Sequence, residues 1–469
     1  MMRLHRSSLW TGAMRRRQLT LFLVDALLVM GTALLALFIR NVLVQRAAPA
    51  QALVWPPPGE VYGLAFAYLV ALYVFDQYNL KRDIRNRAAA MALFLACVMG
   101  LFFFTSITFF FRDLRLGRFA TLIHLPLAYA GCALWRVFFF SRLLRTSRPH
   151  RVLLVVSNPV ERGIEAELRD RPLGDYEVVG VFQVVSAQEN DGHLLDERGR
   201  TLEQVVQEEA IDTLVFSARG GFPPRYLEKA IDWKFDGVGV YDAANFYGAM
   251  TGRVPIETID ARWILDHLSQ PYGSAIVWRL KRVLDIVLAL IGLALTLPFW
   301  PLLMLAIRLD SPGPALFRQE RLGWRQQPIV ITKFRSMYHH YEEEGEAAYA
   351  QKDDPRVTRV GKFLRKTRLD ELPQLWNVLR GELSIVGLRP IRAINAQRLA
   401  KTIPFYHLRF SMKPGMTGWP QLQYRYADDD ESHLRKFEYE LYHIQNASLA
   451  FDLYLIVKTI QQLFFGRGQ

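Results

Sequence analysis

Cysteine is scarce in this chain: only Cys97 and Cys132 occur among 469 residues. Both lie inside long apolar stretches, so the sequence excludes a disulfide framework and a site built from thiolate metal ligands. It also lacks a Walker-type phosphate loop, a His-Glu-x-x-His zinc motif and a Gly-x-Ser-x-Gly nucleophile turn. These absences exclude P-loop nucleotide hydrolases, zinc proteases of the His-Glu-x-x-His type and serine hydrolases with that turn.

Acidic residues are fewer than basic ones, 45 against 58, which leaves a formal net charge of +13. No zinc-finger spacing, RNA-binding aromatic motif or basic heptad region accompanies this charge, so no nucleic acid partner is predicted. The basic residues instead flank apolar segments, as is typical of loops that meet anionic lipid head groups. We therefore expect membrane lipids as partners.

The N-terminal third contains four stretches dominated by Leu, Phe, Ala and Val. Most approach the roughly 20 residues that span the hydrocarbon of a bilayer, and they cover Leu19–Ile39, Val61–Phe75, Ala88–Phe111 and Phe119–Phe140. We predict a four-helix transmembrane domain over residues 1–145, in which the second helix is the shortest. Basic residues cluster before the first helix and after the second and fourth, which predicts that the chain from residue 142 onward begins in the cytoplasm.

Short β-rich runs alternate with helical stretches between residues 146 and 270. The four runs are Val152–Val156, Val178–Phe182, Thr213–Phe216 and Val238–Tyr241. This alternation predicts an α/β, Rossmann-like middle domain with a small parallel sheet. The segment after the first run, Ser157–Gly163, lacks the glycine-rich turn of a dinucleotide site, so the ligand and role of this domain stay open.

A fifth apolar segment, Ile286–Ile307, has basic residues on both flanks and Pro298 and Pro301 near its middle. Because both ends favour the cytoplasmic face and proline breaks a helix, we expect a re-entrant hairpin over residues 283–308 with its break at Pro298. The alternative is an ordinary transmembrane helix that proline kinks.

Two adjacent carboxylates, Asp370 and Glu371, lie at the N-terminal end of a run with apolar residues at helical spacing, namely Leu369, Leu372, Trp376 and Leu379. Pro373 suits a first helical turn, and the positive end of a helix stabilises carboxylates, so we expect Asp370 to stay ionised. Taken alone, such a pair is more often a helix cap beside a solvated neighbour.

Polar motifs follow the hairpin in dense succession. They are Ser311–Gly323, Lys333–Met337, Asp354–Gly361, the Asp370 helix, Gly381–Pro390 and Lys413–Gly418. In this order and spacing, from about Tyr272 to the C-terminus, the chain resembles the bacterial sugar transferase family of polyprenyl-phosphate glycosylphosphotransferases. The helical bundle and the α/β domain resemble the large branch of that family, which includes undecaprenyl-phosphate glucose and galactose phosphotransferases. Residues 271–469 would then form a mainly α-helical, monotopic catalytic domain.

The resemblance implies transfer of a hexose 1-phosphate from a UDP-sugar to undecaprenyl phosphate, with release of UMP and with Mg²⁺ as cofactor. Such enzymes start exopolysaccharide, O-antigen or capsule assembly at the bacterial inner membrane, with the catalytic domain on the cytoplasmic face. The large branch further suggests a homodimer.

The same resemblance assigns roles to individual residues. Asp370 would be the covalent nucleophile, and Asp370 and Glu371 would lie at the metal. Phosphate-handling positions would be Lys333, Arg365 and Arg389, with Arg335, Arg356 and Arg368 as weaker candidates. Leu388 stands where the family commonly has proline, Leu297 where a small polar residue often precedes the hairpin proline, and Glu440 where it commonly has aspartate. We therefore carry no substrate role over to Glu440.

The residues agree with this chemistry independently, because phosphoryl transfer needs a nucleophile, a divalent cation and cationic side chains. The competing hypothesis is a membrane-anchored sensor or scaffold whose α/β domain binds a ligand. Neither hypothesis identifies the sugar or the polysaccharide pathway. The C-terminal run, residues 448–465, either lies along the membrane interface or packs on the catalytic core.

Overall fold

The structure is a computed structural model of a mostly helical chain. It describes residues 10–43, 58–75, 77–78, 87–110, 118–143, 150–156, 176–183, 199–216, 224–268, 271–338, 354–424 and 430–465. The chain forms two compact units. One covers residues 1–151 with 171–177, and the other covers residues 152–170 with 178–469.

The first unit is a helical bundle. Its helices are α1 (Trp10–Leu43), α2 (Pro58–Val74), α3 (Arg87–Phe110) and α4 (Arg118–Phe138), and a short π-helical turn, Phe139–Leu143, extends α4. Helices α1, α3 and α4 are long and apolar enough to cross a membrane, whereas α2 is a shorter apolar helix. The chain is therefore a membrane protein, and the expectation that the second helix is the shortest is confirmed.

A buried ion pair joins the first and last helices of the bundle. The Arg136 guanidinium donates to both carboxylate oxygens of Asp25, each over 2.9 Å. The two side chains are 5% and 0% exposed. The sequence analysis did not single out either residue.

The sheet of the second unit has the strand order β2-β1-β3-β4. Its strands are β1 (His150–Val156), β2 (Tyr176–Gln183), β3 (Thr213–Phe216) and β4 (Gly239–Asp242). Strand β3 pairs in parallel with both β1 and β4. The four predicted strands and the small parallel sheet are thus confirmed, while Ser157–Gly163 lies outside the described residues.

Four helices accompany this sheet: α5 (Leu202–Glu208), α6 (Pro224–Phe235), α7 (Ala243–Thr251) and α8 (Ala261–His267). Tyr226 of α6 packs with Leu153 and Leu214 of the sheet. Trp263 of α8 instead shares a hydrophobic cluster with residues near the C-terminus, Leu399 and Leu441 among them. Helices α7 and α8 therefore belong to one core with residues beyond the predicted boundary at 270.

The membrane segment of the second unit consists of α9 (Ala275–Thr296), a 3₁₀ turn (Leu297–Phe299) and α10 (Trp300–Asp310). Together they form a fourth candidate membrane span of 36 residues. Leu297 and Trp300 keep helical backbone angles on either side of Pro298. The helical break falls where proline predicts it, and the choice between a hairpin and a kinked span stays a prediction.

The remaining α-helices and strands build the C-terminal part of the chain, which the family resemblance predicts to be catalytic and which we call the catalytic part. They are β5 (Leu316–Leu322), β6 (Pro328–Phe334), α11 (Arg359–Thr367), α12 (Gln374–Arg380), β7 (Ser384–Val386), α13 (Ala393–Thr402), β8 (Gly415–Thr417), α14 (Trp419–Gln423), α15 (Asp430–Gln445) and α16 (Leu449–Phe465). Strands β5 and β6 form an antiparallel hairpin, and β7 pairs in parallel with β8.

Buried charges fasten α9 to this catalytic part. Lys281 is 4% exposed and pairs with Asp285 over 3.1 Å and with Asp452 of α16 over 3.0 Å. Arg282 donates to the carbonyl oxygens of Val378 and Leu379 at the end of α12. The basic residues near the start of α9, which predict a cytoplasmic helix end, therefore also attach this helix to the catalytic part.

Helix α16 packs on the catalytic core through one face. Asp452 and Leu455 are fully buried, and the Thr459 hydroxyl lies 2.6 Å from that of Thr417 in β8. The opposite face leaves Leu453 and Ile460 exposed. Of the two alternatives for this helix, the structure shows packing on the core.

Candidate active site

The acidic pair lies in a 3₁₀ turn, Leu369–Glu371, between α11 and α12. Arg368, with a left-handed φ of 56°, ends α11 and starts this turn, and Pro373 leads into α12. The pair therefore precedes the α-helix instead of occupying its first turn. The buried apolar residues of α12 are Leu375 and Val378, whereas Trp376, which the spacing placed on the apolar stripe, is 53% exposed.

Glu371 is held by two cations. Its Oε1 atom accepts from Lys333 Nζ over 3.1 Å and from Arg389 Nη2 over 3.2 Å, and its side chain is 14% exposed. Burial raises the pKa of Glu371, but the charges of Lys333 and Arg389 outweigh burial and hold the pKa at about 2. Glu371 is therefore an ionised carboxylate whose Oε1 atom accepts both hydrogen bonds.

Asp370 is different from its neighbour. It is 9% exposed, and its carboxylate makes no hydrogen bond or ion pair within the described parts of the chain. Burial, followed by the charge of Glu371, raises the pKa of Asp370 above its ordinary value of 3.8, although Lys333, Arg365 and Arg389 oppose the shift. Burial therefore has the larger effect on this carboxylate, and the expectation that Asp370 stays ionised remains a prediction.

Lys333 is positioned by the contact between β6 and α12. Asn377 of α12 donates to the carbonyl oxygen of Val330 over 2.7 Å and accepts from the Thr332 backbone over 3.3 Å. Asn377 is buried, so both bonds are shielded from water. The strand that carries Lys333 is thereby fixed to the helix that follows Glu371.

Arg389 follows β7, at a close approach of two backbones. The Leu388 carbonyl accepts from the Gly415 amide over 2.8 Å. A Cβ atom on Gly415 would come within 2.1 Å of the Gly387 nitrogen, so only glycine fits there. Leu388 is 2% exposed. The hydrogen bond between the two backbones thus holds the loop at Leu388, the position where the family commonly has proline.

A second ion pair supports the backbone of Arg389 itself. Arg409 donates to the Arg389 carbonyl oxygen over 3.0 Å and to both carboxylate oxygens of Glu440 over 3.0 and 2.9 Å. Arg409 and Glu440 are buried, with side chains 5% and 3% exposed. Glu440, to which we carried over no substrate role, is therefore a partner of Arg409.

The other predicted cations have different surroundings. Arg365 acts on Asp370 through charge, and Arg368 acts on Glu371 in the same way. Arg356 donates to Asp354 over 2.7 Å.

Arg335 must be corrected as a phosphate-handling candidate. It is 1% exposed and donates to the carbonyl oxygens of Ile307, Ser311 and Pro312. These bonds satisfy carbonyls at the end of α10, where helix geometry leaves them without intrahelical partners. Arg335 therefore fastens the membrane segment to β6.

An open cleft of about 390 Å³ adjoins the engaged carboxylate. Its lining residues are Phe317, Gln319, Arg321, Ile331, Lys333, Glu371, Gln374, Arg389, Pro390, Gly415 and Met416. Asp370 does not line this cleft, although Lys333, Glu371 and Arg389 of the cleft act on its charge. The arrangement combines a poorly solvated carboxylate with cations suited to a phosphate group.

Sequence reasoning missed three polar residues of the cleft, Gln319, Arg321 and Gln374. Gln374 lies three positions after Glu371, and that spacing in a 3₁₀ segment was the available signal. Arg321 served only as a marker of the basic flank of the hairpin.

Comparison with known proteins identifies the family to which the chain is similar. The profile of the family described as bacterial sugar transferase matches residues 276–466. The chain is 38% identical, over 231 residues, to the UDP-N-acetylgalactosamine-undecaprenyl-phosphate N-acetylgalactosaminephosphotransferase of Aeromonas hydrophila. That match covers 49% of this chain and 53% of the relative.

Two further relatives extend the comparison. The UDP-glucose:undecaprenyl-phosphate glucose-1-phosphate transferase of Escherichia coli strain K12 is 29% identical over 434 residues, which cover 87% of this chain and 92% of the relative. The exopolysaccharide production protein PSS of Rhizobium leguminosarum bv. phaseoli is 40% identical over 196 residues, which cover 40% of this chain and 98% of the relative.

The membrane helices, the cationic cleft and these matches together define a membrane-associated phosphotransferase. The chain belongs to the bacterial sugar transferase family.

Proposed function

We propose that this enzyme transfers a hexose 1-phosphate from a UDP-sugar to undecaprenyl phosphate and releases UMP. The single observation that carries the proposal is the division between the two adjacent carboxylates. Glu371 is bound by two cations, whereas Asp370 has no partner in the described ranges and has a raised pKa. A buried carboxylate without hydrogen bonds is poorly stabilised as an anion, which favours its reaction with phosphorus.

The reaction proceeds in two steps. An Asp370 carboxylate oxygen attacks the sugar-linked phosphorus, and the bond from that phosphorus to the oxygen of UMP breaks, with the electron pair leaving on UMP. An oxygen of undecaprenyl phosphate then attacks the same phosphorus and displaces the Asp370 carboxylate. The products are the polyprenyl diphosphate sugar and free enzyme, so ping-pong kinetics are expected.

Lys333 and Arg389 supply positive charge where negative charge develops on the phosphoryl group. Both already lie within hydrogen-bond distance of Glu371, which keeps them in place before substrate enters. Arg365 adds positive charge near Asp370.

Mg²⁺ is the expected cofactor, and the donor set fits it. Asp370 and Glu371 are adjacent hard oxygen donors, and Mg²⁺ in proteins is commonly held by one or two carboxylates together with substrate phosphates. No cluster of three or more potential metal-ligating side chains occurs among the described residues, so substrate phosphates would complete the coordination. When bound, the ion would neutralise charge on the diphosphate.

We further propose that α9 and α10 form a re-entrant hairpin and that the catalytic part lies on the cytoplasmic face of the inner membrane. Both ends of the segment reach neighbouring catalytic elements. Arg282 near its start bonds to α12, and Ile307 near its end bonds to Arg335, which follows β6. Single cysteines at the exposed positions Ile276 and Leu309 should then react with an impermeant thiol reagent from the same side of the membrane. Labelling from opposite sides would identify a kinked span.

We also propose a homodimer whose product starts exopolysaccharide, O-antigen or capsule assembly. One experiment tests the reaction: purified enzyme in lipid nanodiscs is incubated with a panel of UDP-sugars, with and without undecaprenyl phosphate, while UMP is measured. Sustained UMP release with one sugar and lipid phosphate supports the proposal. No release from any UDP-sugar would contradict it and favour a sensor or scaffold.

A further inference from the structure

Gln374 combines deep burial with an amide that has no protein partner. The residue is 4% exposed, and its Nε2 atom is buried without a hydrogen-bond partner. No hydrogen bond joins its side-chain oxygen to any described residue either. A buried donor without an acceptor loses its hydration and gains nothing in return, so such groups in folded proteins call for an explanation.

The position of Gln374 supplies that explanation. Its side chain lines the cleft that Lys333, Glu371 and Arg389 also line. It is the first residue of α12, three positions after Glu371 and four after Asp370. The backbone bonds of this segment are of the 3₁₀ type, in which residues three apart lie on the same side, so Gln374 lies on the same side as Glu371. The Gln374 side chain therefore borders the cleft beside the two cations that would bind the transferred group.

We infer that Gln374 is a substrate-binding residue whose Nε2 donates a hydrogen bond to a phosphoryl oxygen of the transferred sugar 1-phosphate. This inference rests on the proposed function and deepens it. The orphaned atom is a donor, and phosphoryl oxygens are strong acceptors. In the covalent intermediate the phosphoryl group is attached to Asp370, four residues before Gln374 in the chain.

A neutral donor is useful at this position. Arg389 and Lys333 already provide charge, and both bind Glu371. Gln374 adds a directional hydrogen bond. Because its amide is neutral, it adds no charge near Asp370 and does not compete with the two cations for Glu371. It thereby orients the phosphoryl group for attack, and the gain in rate depends on how accurately the reacting atoms are placed.

The substitution Gln374→Met separates a ligand role from a structural one. Methionine has a similar shape and no amide, so it removes the orphaned donor and should leave the melting temperature of the protein equal or higher. The same substitution should lower kcat/KM for UMP release by about 10-fold to 100-fold. If Gln374 serves only packing, the substitution should instead lower the melting temperature and leave kcat/KM unchanged.

A matched control is Gln445→Met on α15. The Nε2 atom of Gln445 donates to Asn245 Oδ1 over 2.8 Å, so this variant loses a structural hydrogen bond. It should melt at a lower temperature while its kinetics stay unchanged.

A second variant, Gln374→Glu, keeps the shape and removes the donor while adding negative charge next to Glu371. Its activity should fall at least as far as that of Gln374→Met, and full activity in this variant would overturn the inference.

The choice of substrate tests which part of the ligand Gln374 contacts. Phosphoryl recognition predicts that Gln374→Met lowers kcat/KM by the same factor for UDP-glucose and UDP-N-acetylgalactosamine, where both are turned over. It also predicts an unchanged inhibition constant for UMP, which lacks the transferred phosphoryl group. A loss confined to one sugar, or weaker UMP inhibition, would overturn the assignment.

Failure of the inference and failure of the proposed function give different results. If the wild-type enzyme releases no UMP from any UDP-sugar, the proposed function fails. If the wild-type enzyme is active and Gln374→Met is equally active, the proposed function stands and the role of Gln374 is refuted.

Discussion

Lys333 and Arg389 donate to the same atom, Oε1 of Glu371, from 3.1 and 3.2 Å. The two cations come from different parts of the chain, one from β6 and the other from the loop after β7. Their shared partner explains why two adjacent carboxylates differ so strongly. Glu371 organises the cations, and Asp370 is left without a bound counter-ion and available for attack.

Asp370→Asn should abolish turnover, with a loss of at least about 10⁴-fold in kcat, because an amide cannot replace the carboxylate nucleophile. The melting temperature should stay equal or rise, since the substitution removes a buried charge. Both quantities are measured on the same nanodisc sample. Glu371→Gln serves as the comparison: it should retain residual activity, because its loss disturbs cation placement while the nucleophile remains.

The acid limb of the pH profile of kcat/KM should report Asp370 in the free enzyme. The pKa of Asp370 is raised, so activity should fall as the pH drops while Asp370 protonates, at a pH above 3.8. Lys333 lowers this pKa, hence Lys333→Met should move the limb to higher pH. An unchanged limb in that variant would contradict the assignment.

The pKa of Glu371 is shifted in the opposite direction to that of Asp370, so ionisation of Glu371 stabilises the folded protein. Because its folded-state pKa is depressed to about 2 from 4.5, its contribution is present above pH 4.5 and is lost as the pH falls toward 2. Thermal unfolding between pH 6 and pH 3 should therefore show less acid destabilisation in Glu371→Gln than in the wild-type protein.

Removal of divalent cations with EDTA should stop UMP release, and Mg²⁺ should restore it. The physical reason is that few cationic side chains line the cleft and could neutralise a diphosphate, namely Arg321, Lys333 and Arg389. The melting temperature without substrate should change little, because the proposed coordination needs substrate phosphates. Full activity in EDTA would contradict the proposed cofactor.

Glu440→Gln should lower kcat/KM by about 10-fold to 100-fold, because it loosens Arg409 and with it the Arg389 backbone. A double-mutant cycle with Arg389→Met measures the coupling. If Glu440 acts through Arg389, then Glu440→Gln should have little further effect in the Arg389→Met background.

The chain offers a control for this cycle on the same helix. Glu438 forms a buried ion pair with Arg253 over 2.5 Å. Glu438→Gln should affect stability and remain additive with Arg389→Met. Equal additivity for Glu438 and Glu440 would show that Glu440 has only a structural role.

Asp25→Asn should destabilise the helical bundle by about 3–5 kcal/mol, because it leaves the buried Arg136 guanidinium without a counter-charge. Unfolding in mixed detergent micelles measures the change. The double variant Asp25→Leu/Arg136→Leu should recover most of the loss, since no unpaired charge remains. A single variant as stable as the wild-type protein would show that the ion pair contributes nothing to the bundle.

Periodic patterns predicted much of the fold. Apolar length identified α1, α3 and α4, and β-rich runs identified all four strands of the sheet. The cations at Lys333 and Arg389 followed from motif order, and the structure brings both to Glu371.

Contacts between residues far apart in the chain could not be predicted from local sequence patterns. In the sequence Arg335 resembles the other cations of these motifs, but its contacts at the end of α10 show that its side chain lies inside the protein. The pairing of Arg409 with Glu440 joins residues 31 positions apart. The raised pKa of Asp370 depends on burial, which no spacing of charged residues reveals.

The most direct test is to look for the covalent intermediate. The enzyme is mixed with the UDP-sugar that supports turnover, without undecaprenyl phosphate, and UMP release and protein mass are followed together. We predict a burst of one UMP per active site and a sugar phosphate adduct on the peptide that contains Asp370, which disappears when undecaprenyl phosphate is added. Turnover without any burst or adduct, or an adduct on the Asp370→Asn variant, would contradict the mechanism.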